Sequence, residues 1–230
     1  YEKGYLTARE VISNGTPDGN PWDIVILQGY SVGDNQNELV MNPEGKLIST
    51  GRFFTYAVKY IDEIRAAGAQ PVLYMNWIIN PDVLVDSGSR GTEHAYWINH
   101  SQLTEDNYHA VSSFMDVPII PVGIVQHRLS SIMKPSEKND GWLYRDNVHP
   151  NRYGKAVQHY TFSSYFSGIT ASNLSYADDS ITSHDDNTIK NAAQTFVESY
   201  RGKTNGTSLK WSKKEFQPIP FQNSILKIQK

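Results

Sequence analysis

Two short apolar segments on either side of one amphipathic helix constrain the fold of this chain more than any other feature. The segments are WDIVILQ, Trp22–Gln28, and PVLYMNW, Pro71–Trp77. Continuous runs rich in β-branched residues are typical of strands that are buried on both faces. Between them, apolar residues recur at helical spacing from Phe53 to Ile64, and Gly68 follows. A strand, a helix and a second strand in this order predict two parallel strands joined by a right-handed crossover.

The rest of the chain repeats this alternation. We predict a helix over Thr104–Met115, a third strand over Val117–Gly123, a helix over Ile124–Met133 and another helix that begins near Arg152. Alternating strands and helices indicate an α/β domain with a parallel sheet. Ligands of such sheets bind beyond the carboxyl ends of the strands. We therefore expect the functional residues in the loops that follow the strands.

Capping and turn residues predict further boundaries. Thr7–Ser13 is expected to form a short helix with Thr7 as its cap, and Ser49 or Thr50 is expected to cap the long helix that follows. The segment Gly29–Leu47 is polar and is predicted to be a long loop. Loops longer than about 15 residues are often functional.

The length of the chain, 230 residues with 39% hydrophobic residues, suits one globular domain. We assign residues 1–170 to an α/β domain that lacks its N-terminal part. Residues 171–230 are predicted to add a helix over Thr188–Arg201 and a polar tail, which packs on the domain or leaves it.

Composition excludes several classes of protein. The chain has no cysteine, so disulfides, thiolate catalysis and Cys-ligated zinc are excluded. The net charge is -3 and no basic face is evident, so nucleic acid is not expected as a partner. No apolar run approaches the roughly 18 residues of a membrane span, and no membrane partner is expected. His94, His100 and His109 do not have the spacing of a compact ligand pair, and we expect no metal and no cofactor.

The N-terminus has features of a processed or truncated chain. Tyr1 replaces an initiator methionine, and no apolar signal core follows it. Asn-x-Ser/Thr triplets occur at Asn14, Asn99, Asn173 and Asn205. Such triplets are common by chance, so they support export only weakly. We predict a secreted or periplasmic protein.

The segment GWLYRDNVHPNRYG, Gly141–Gly154, contains the pattern most typical of catalysis. A serine nucleophile needs an imidazole to take its proton, and the imidazole needs a carboxylate to fix its tautomer and orientation. Asp146 lies three residues before His149, within reach in one tight loop, and Pro150 biases His149 toward an extended conformation. The alternative is a surface loop with a structural Asp and a solvated His, because Asp-x-x-His arises often by chance.

Four segments together resemble the SGNH (GDSL-like) hydrolases over about Thr7 to Gly168. LYRDNVHPNRYG is similar to the Asp-x-x-His-Pro block of that family, and WDIVILQGYS resembles its strand that leads into the oxyanion loop. PVLYMNW and VPIIPVG resemble further strands. The resemblance implies a three-layer α/β/α flavodoxin-like fold and the hydrolysis of esters, often acetyl groups on carbohydrates. It also implies that His149 is the general base and that Asp146 orients it.

The nucleophile of that family has no counterpart in the expected place. Its serine lies in a Gly-Asp-Ser or Gly-Asn-Ser block after the first strand, and no such block precedes Trp22. We therefore expect a strand with this block before Tyr1, or on a separate chain. Ser31 is an alternative nucleophile. However, QGYSVG is not a Gly-x-Ser-x-Gly elbow, and hydrogen bonding within the loop explains Ser31 better.

The oxyanion block also departs from the pattern of the family. Gln28, Gly29 and Ser31 occupy the segment where the family has Gly-x-Asn-Asp. The side-chain amide of Gln28 can replace the missing Asn as an oxyanion donor; the alternative is a polar strand end that bonds to the backbone. Asn76 and Trp77 end the next predicted strand and can line the same pocket, although a Trp in that position often packs in the core.

These residues predict a serine-type ester hydrolase that deacylates, and most simply deacetylates, a carbohydrate or another small ester. Four aromatic residues of the loops can stack on sugar rings or fill the core: Tyr96, Trp97, Trp142 and Tyr144. The alternative is a non-catalytic carbohydrate-binding module on a degenerate SGNH scaffold, which the absent serine block favours.

Overall fold

The computed structural model of the chain describes residues 7–29, 39–49, 51–77, 104–132, 143–145, 149–176 and 178–201. Strands and helices alternate within these ranges, which confirms the predicted α/β character. In chain order they are α1 (Ala8–Asn14), β1 (Ile24–Gln28), β2 (Leu39–Met41), β3 (Leu47–Ser49), α2 (Arg52–Ala66), β4 (Gln70–Tyr74), α3 (104–115), β5 (Ile119–Ile120), α4 (Val122–Ile132), α5 (Arg152–Ser167), a 3₁₀ turn (Ala171–Asn173) and α6 (Ser183–Arg201).

A parallel sheet of three strands, in the order β1-β4-β5, forms the centre of the structure. Gln28 of β1 pairs with Tyr74 of β4, and Tyr74 pairs with Ile120 of β5. The predicted parallel pairing of β1 with β4 is therefore present. Strands β4 and β5 are shorter than predicted, so the expected ends at Trp77 and Gly123 lie past the ladder, at the carboxyl edge of the sheet.

Strand β1 differs from the prediction of a strand buried on both faces. Val25 and Leu27 pack against the cluster that α1 and α2 form. Ile24 packs against a second cluster, which Val72 and Tyr74 of β4 form with α4, α5 and α6. Ile26, by contrast, is 43% exposed. The reason is that β4 pairs with one edge of β1, whereas no strand of the described ranges pairs with its other edge.

A hairpin occupies part of the segment that was predicted to be a loop. Strand β2 pairs antiparallel with β3, and Asn42 begins the turn between them. The side-chain Oδ1 of Asn42 accepts a hydrogen bond from the N–H of Lys46 at 2.8 Å, and Gly45 has a φ of 73°. An Asn side chain that bonds its own turn and a Gly with positive φ are the chemistry of a tight connection, which explains why this short polar stretch folds back.

Helix α2 buries the predicted apolar stripe, but its cap differs. The cap is Gly51, because Ser49 belongs to β3, and Thr50 lies outside the described residues. Gly68 ends the helix with a φ of 85°, as the sequence predicts. The buried residues of the stripe are Phe53, Phe54, Ala57, Ile61 and Ile64.

The other predicted helices are present with small shifts. Thr7 caps α1, and its hydroxyl oxygen accepts a hydrogen bond from the N–H of Glu10 at 3.3 Å. Helix α3 covers 104–115 as predicted, and α4 begins at Val122 rather than Ile124. Helix α5 begins at Arg152 and ends before Gly168, whose φ is 73°.

Helix α6 begins at Ser183, ahead of the predicted Thr188, because Thr182 supplies a cap. The hydroxyl oxygen of Thr182 accepts a hydrogen bond from the N–H of Asp185 at 3.2 Å. The helix packs against α5 and buries Ile189 and two further residues of the same face. The division at residue 170 stays a prediction, and the tail after 201 lies outside the described residues.

Alternate residues of β4 pack with different helices. Val72 and Tyr74 belong to a core cluster with α4, α5 and α6, whereas Leu73 belongs to a cluster with α2 and α3. Successive side chains of a strand point to opposite faces, so each face of β4 contributes to its own core. No helix in the described ranges is both long and apolar enough to cross a membrane.

Candidate functional site at the carboxyl edge of the sheet

The carboxyl ends of the three parallel strands lie at the same level. Gln28, Tyr74 and Ile120 are opposite one another across the sheet. The segments that follow them therefore begin side by side at one edge. Ligands of open parallel sheets bind at such an edge, and the edge brings Gln28, Gly29 and Asn76 together, as the sequence predicts.

Both backbone groups of Gly29 are hydrogen-bonded to the neighbouring elements. Its N–H donates to the hydroxyl oxygen of Tyr108 on α3 at 2.9 Å. Its carbonyl oxygen accepts from the side-chain Nδ2 of Asn76 at 2.9 Å. A Cβ at Gly29 would lie 3.0 Å from the ring of Phe53. In this geometry the predicted oxyanion residues Gly29 and Asn76 bind each other, so both hold the ends of β1 and β4 together.

The start of α4 approaches the same edge closely. The N–H of Gly123 donates to the carbonyl oxygen of Met75 at 2.7 Å. A Cβ at this position would lie 2.0 Å from the carbonyl oxygen of Asn76, a distance that no real contact reaches. Glycine is therefore required for α4 to begin against the end of β4.

Tyr108 is the buried centre of this hydrogen-bond network. Its side chain is completely buried, and its ring lies against that of Phe53 with 4.5 Å between centroids. Burial raises the pKa of Tyr108 well above its usual range, and the backbone N–H groups of Gly29 and Asn76 act in the opposite direction. Burial also raises the pKa of Tyr74, and Tyr108 adds to that effect. Both hydroxyls are neutral at ordinary pH, so Tyr108 serves this edge as a hydrogen-bonding group rather than as a charge.

Gln28 lies beside this network with its side chain exposed. Within the described part of the chain, its amide makes no hydrogen bond to the backbone. The alternative interpretation, a polar strand end whose side chain bonds to the backbone, is therefore not supported there. Gln28 lines a cleft of about 320 Å³ between the end of β1 and the first two turns of α2. The pairing of Gln28 with Tyr74 places its side chain on the Tyr74 face of the sheet, so the backbone of Gln28 lines the cleft on the α2 side. An unengaged amide at this edge of the sheet can donate to an oxygen atom of a ligand.

The cleft has aromatic walls and one charged group. Phe53, Tyr56 and Tyr60 of α2 line it together with Leu27. Arg52, the first residue of α2, is the charged lining residue, and it is exposed. Apolar walls with a few polar groups are usual in small-molecule sites.

The loop that contains His149 is attached to the fold on both sides. The carbonyl oxygen of His149 accepts from the N–H of Arg145 at 2.8 Å, and Tyr144 forms an isolated antiparallel bridge with Pro150. The side-chain Oδ1 of Asn151 caps α5 by accepting from the N–H of Tyr153 at 2.9 Å. The helix that follows the loop therefore anchors it to the fold. The imidazole is exposed to solvent.

Two predicted site residues, Asp146 and Ser31, lie outside the described residues, so the Asp146–His149 dyad stays a prediction. Trp77 is partly buried against the core, and its ring lies edge-on to that of Tyr74 with 6.5 Å between the centroids. This favours the alternative in which Trp77 packs in the core rather than lining a pocket. Tyr144 is also buried in that core. Of the other loop aromatics proposed for sugar stacking, none falls within the described ranges.

The roles of Tyr108, Gly123 and Arg52 are not predicted from the sequence. Tyr108 shares the buried face of α3 with Thr104 and Val111, and a tyrosine on such a face needs a partner for its hydroxyl. That requirement was the available signal for Tyr108. A glycine at a strand end often marks a close backbone approach, which was the signal for Gly123.

Comparison with known proteins gives one informative similarity. No family model matches the chain, and no curated protein matches it. A solved structure of a DUF4886 family protein from Bacteroides uniformis is similar, with a TM-score of 0.55 and 12% sequence identity. The match covers 77% of this chain and 62% of that protein, so the chain spans less than two thirds of its length. At this identity the similarity shows an α/β fold alone.

Proposed function

We propose that the chain is part of a serine-type ester hydrolase of the SGNH kind, which removes acyl groups from a carbohydrate. The observation that carries the proposal is the position of Gln28. Its side-chain amide is exposed and unengaged among the described residues, and it lies at the carboxyl end of β1. The network of Tyr108, Gly29 and Asn76 immediately beside it holds that strand end in place.

In the proposed reaction, a serine hydroxyl attacks the acyl carbon and the proton of that hydroxyl passes to His149. Asp146 orients the imidazole and stabilises its protonated form. The carbonyl oxygen becomes a tetrahedral oxyanion, which accepts a hydrogen bond from the amide of Gln28. One such donor is typically worth about 3 kcal/mol in the transition state. His149 then returns its proton to the leaving sugar oxygen, and water releases the acyl group in the same way.

The nucleophile is proposed to lie on a further strand that ends in Gly-Asp-Ser or Gly-Asn-Ser. The free edge of β1 supports this, because an apolar edge strand with Ile26 43% exposed is the type of edge that another strand covers. A strand added there places its carboxyl end beside Gln28. The complete fold is then proposed to be a three-layer α/β/α arrangement of the flavodoxin-like type, which the packing of alternate β4 residues with different helices supports.

The test is the hydrolysis of p-nitrophenyl acetate by a protein expressed from its full reading frame. His149→Ala removes the general base and is expected to lower kcat/KM by roughly 10²- to 10⁴-fold. Gln28→Ala is expected to lower it by roughly 10²-fold or more. His184→Ala, which removes an exposed imidazole at the start of α6, is the matched control and should leave the rate unchanged. A His149→Ala protein with the parental rate would rule out the proposed base.

A second candidate is a carbohydrate-binding module without catalysis. The aromatic walls of the cleft favour this alternative, since aromatic rings bind sugars whether or not a nucleophile is present. Saturable glycan binding together with no ester turnover by the complete protein would support it over the hydrolase.

A further inference from the structure

Arg52 lies at the rim of the cleft, and no counterion for it is found among the described residues. It makes no ion pair and no side-chain hydrogen bond within the part of the chain that the structure describes. Neighbouring cations are engaged: Arg9 pairs with Glu63 at 2.7 Å, and Arg65 donates to the carbonyl oxygen of Met115 at 2.6 Å. Arg52 differs from Arg9 and Arg65 in that its guanidinium donors are not used by any described residue.

The charge of Arg52 is not compensated by the walls of the cleft. Among the described residues, those that line the cleft come from the end of β1 and the first turns of α2, and none of these is acidic. The chain as a whole has a net charge of -3, so a cleft with one unmatched cation stands out from its surroundings. A ligand with one negative charge complements this arrangement.

The shape and chemistry of the walls define the rest of the ligand. Tyr56 is 57% exposed and, with Phe53 and Tyr60, presents aromatic surface to the cleft. The volume of about 320 Å³ is at the small end of ligand sites, which suits a single ring. A guanidinium fork binds a carboxylate with two parallel hydrogen bonds. A single Arg also matches the single charge of a carboxylate better than the double charge of a phosphate.

We propose that this cleft binds the carboxylate and ring of a uronic acid. This deepens the proposed function and rests on it for one point, namely that the acyl group to be removed lies on or next to this acidic sugar. Arg52 holds the carboxylate, the aromatic side chains contact the ring, and the acyl group lies toward the end of β1.

Equilibrium binding tests the site without requiring turnover. The chain is titrated with methyl β-D-glucuronoside, methyl β-D-glucoside and acetate, and the dissociation constants are measured by calorimetry or NMR. The glucuronoside should bind tighter than either of the other two. Arg52→Gln should weaken its binding by roughly 10- to 100-fold, the range for loss of a charged hydrogen bond, and should leave the glucoside unchanged.

Lys155→Gln is the matched control, because Lys155 is an exposed cation of α5 that does not line this cleft. It should change the affinity for the glucuronoside less than threefold. Equal binding of the glucuronoside and the glucoside, or an Arg52→Gln protein with unchanged affinity, would overturn the proposal. Acetate that binds as tightly as the glucuronoside would overturn the role of the sugar ring.

A parallel assay separates this inference from the proposed hydrolysis. Glucuronoside binding that depends on Arg52, in a complete protein that does not cleave p-nitrophenyl acetate, would support the uronate site and contradict the hydrolase. Cleavage of p-nitrophenyl acetate without preference for the glucuronoside would contradict the uronate site alone.

Discussion

The hydroxyl oxygen of Tyr108 accepts a hydrogen bond from the backbone N–H of Gly29 at 2.9 Å, across 79 residues of sequence. The bond connects α3 to the first residue after β1. Because Asn76 donates to the carbonyl oxygen of the same Gly29, three elements meet at one peptide. The geometry of the candidate site therefore depends on a side chain that does not itself line the cleft.

Removal of the Tyr108 hydroxyl should destabilise the fold. Tyr108→Phe keeps the buried ring but leaves the N–H of Gly29 without its acceptor. A buried, unsatisfied donor costs about 1–3 kcal/mol, so the free energy of unfolding should fall by that amount in urea denaturation. Tyr56→Phe removes an exposed hydroxyl of α2 and should change stability by less than about 0.5 kcal/mol. Equal effects of the two substitutions would contradict the role of the Tyr108–Gly29 bond.

Gly123→Ala sets two effects against each other. Alanine is favoured over glycine in a helix by up to about 1 kcal/mol, and Gly123 is the second residue of α4. The added Cβ, however, would lie 2.0 Å from the carbonyl oxygen of Asn76, and backbone must move to admit it. Overpacking of this kind costs about 1–3 kcal/mol, so net destabilisation is expected in chemical denaturation. A gain in stability would show that α4 moves away from β4 at little cost.

Asn151→Ala should weaken the attachment of the His149 loop. The side-chain Oδ1 of Asn151 accepts from the N–H groups of Tyr153 and Gly154 at 2.9 and 3.2 Å. Loss of an Asn cap costs about 1 kcal/mol, and amide hydrogen exchange at the start of α5 should accelerate accordingly. Asn173→Ala, an exposed Asn of the 3₁₀ turn, is the control and should leave exchange in α5 unchanged.

Stability should fall in alkaline solution from about pH 10 upward. Burial holds the pKa of Tyr74 and Tyr108 well above the usual value of about 10 in the folded state. Above pH 10 the unfolded chain loses protons that the folded chain keeps, so stability present below pH 10 is lost as pH rises toward the folded pKa. Each such group contributes a slope of up to about 1.4 kcal/mol per pH unit.

Denaturation between pH 8 and 11, followed together with tyrosinate absorbance, measures this slope. Tyr108→Phe should reduce the slope, because it removes one buried hydroxyl whose pKa is raised in the folded state. Ionisation of all tyrosines before the loss of helical signal would contradict the expected protection.

The alternation of elements could be predicted from sequence because each strand and helix has its own local period. The gathering of Gln28, Gly29 and Asn76 followed from one topological rule, that parallel strands end at the same edge. The contact of Tyr108 with Gly29 could not be predicted in this way. It depends on how α3 lies on the sheet, and local periodicity does not encode that position.

The errors have similar physical causes. Serine is a favourable helix cap, but Ser49 belongs to β3, where it pairs with Leu39 of β2. The cap position of α2 is therefore occupied by Gly51. The apolar composition of β1 predicts burial, yet burial requires neighbours on both edges and both faces. The exposure of Ile26 shows that an apolar composition predicts that a residue is buried but does not identify the element that buries it.

The free edge of β1 also has a consequence for handling the isolated chain. No strand of the described part of the chain pairs with this edge, so its N–H and C=O groups, together with the exposed side chain of Ile26, form a template on which the same strand of a second molecule can add. Self-association that increases with protein concentration is therefore expected, and a lysine introduced at Ile26 should suppress it. The solubility of the chain then reports whether this edge is covered.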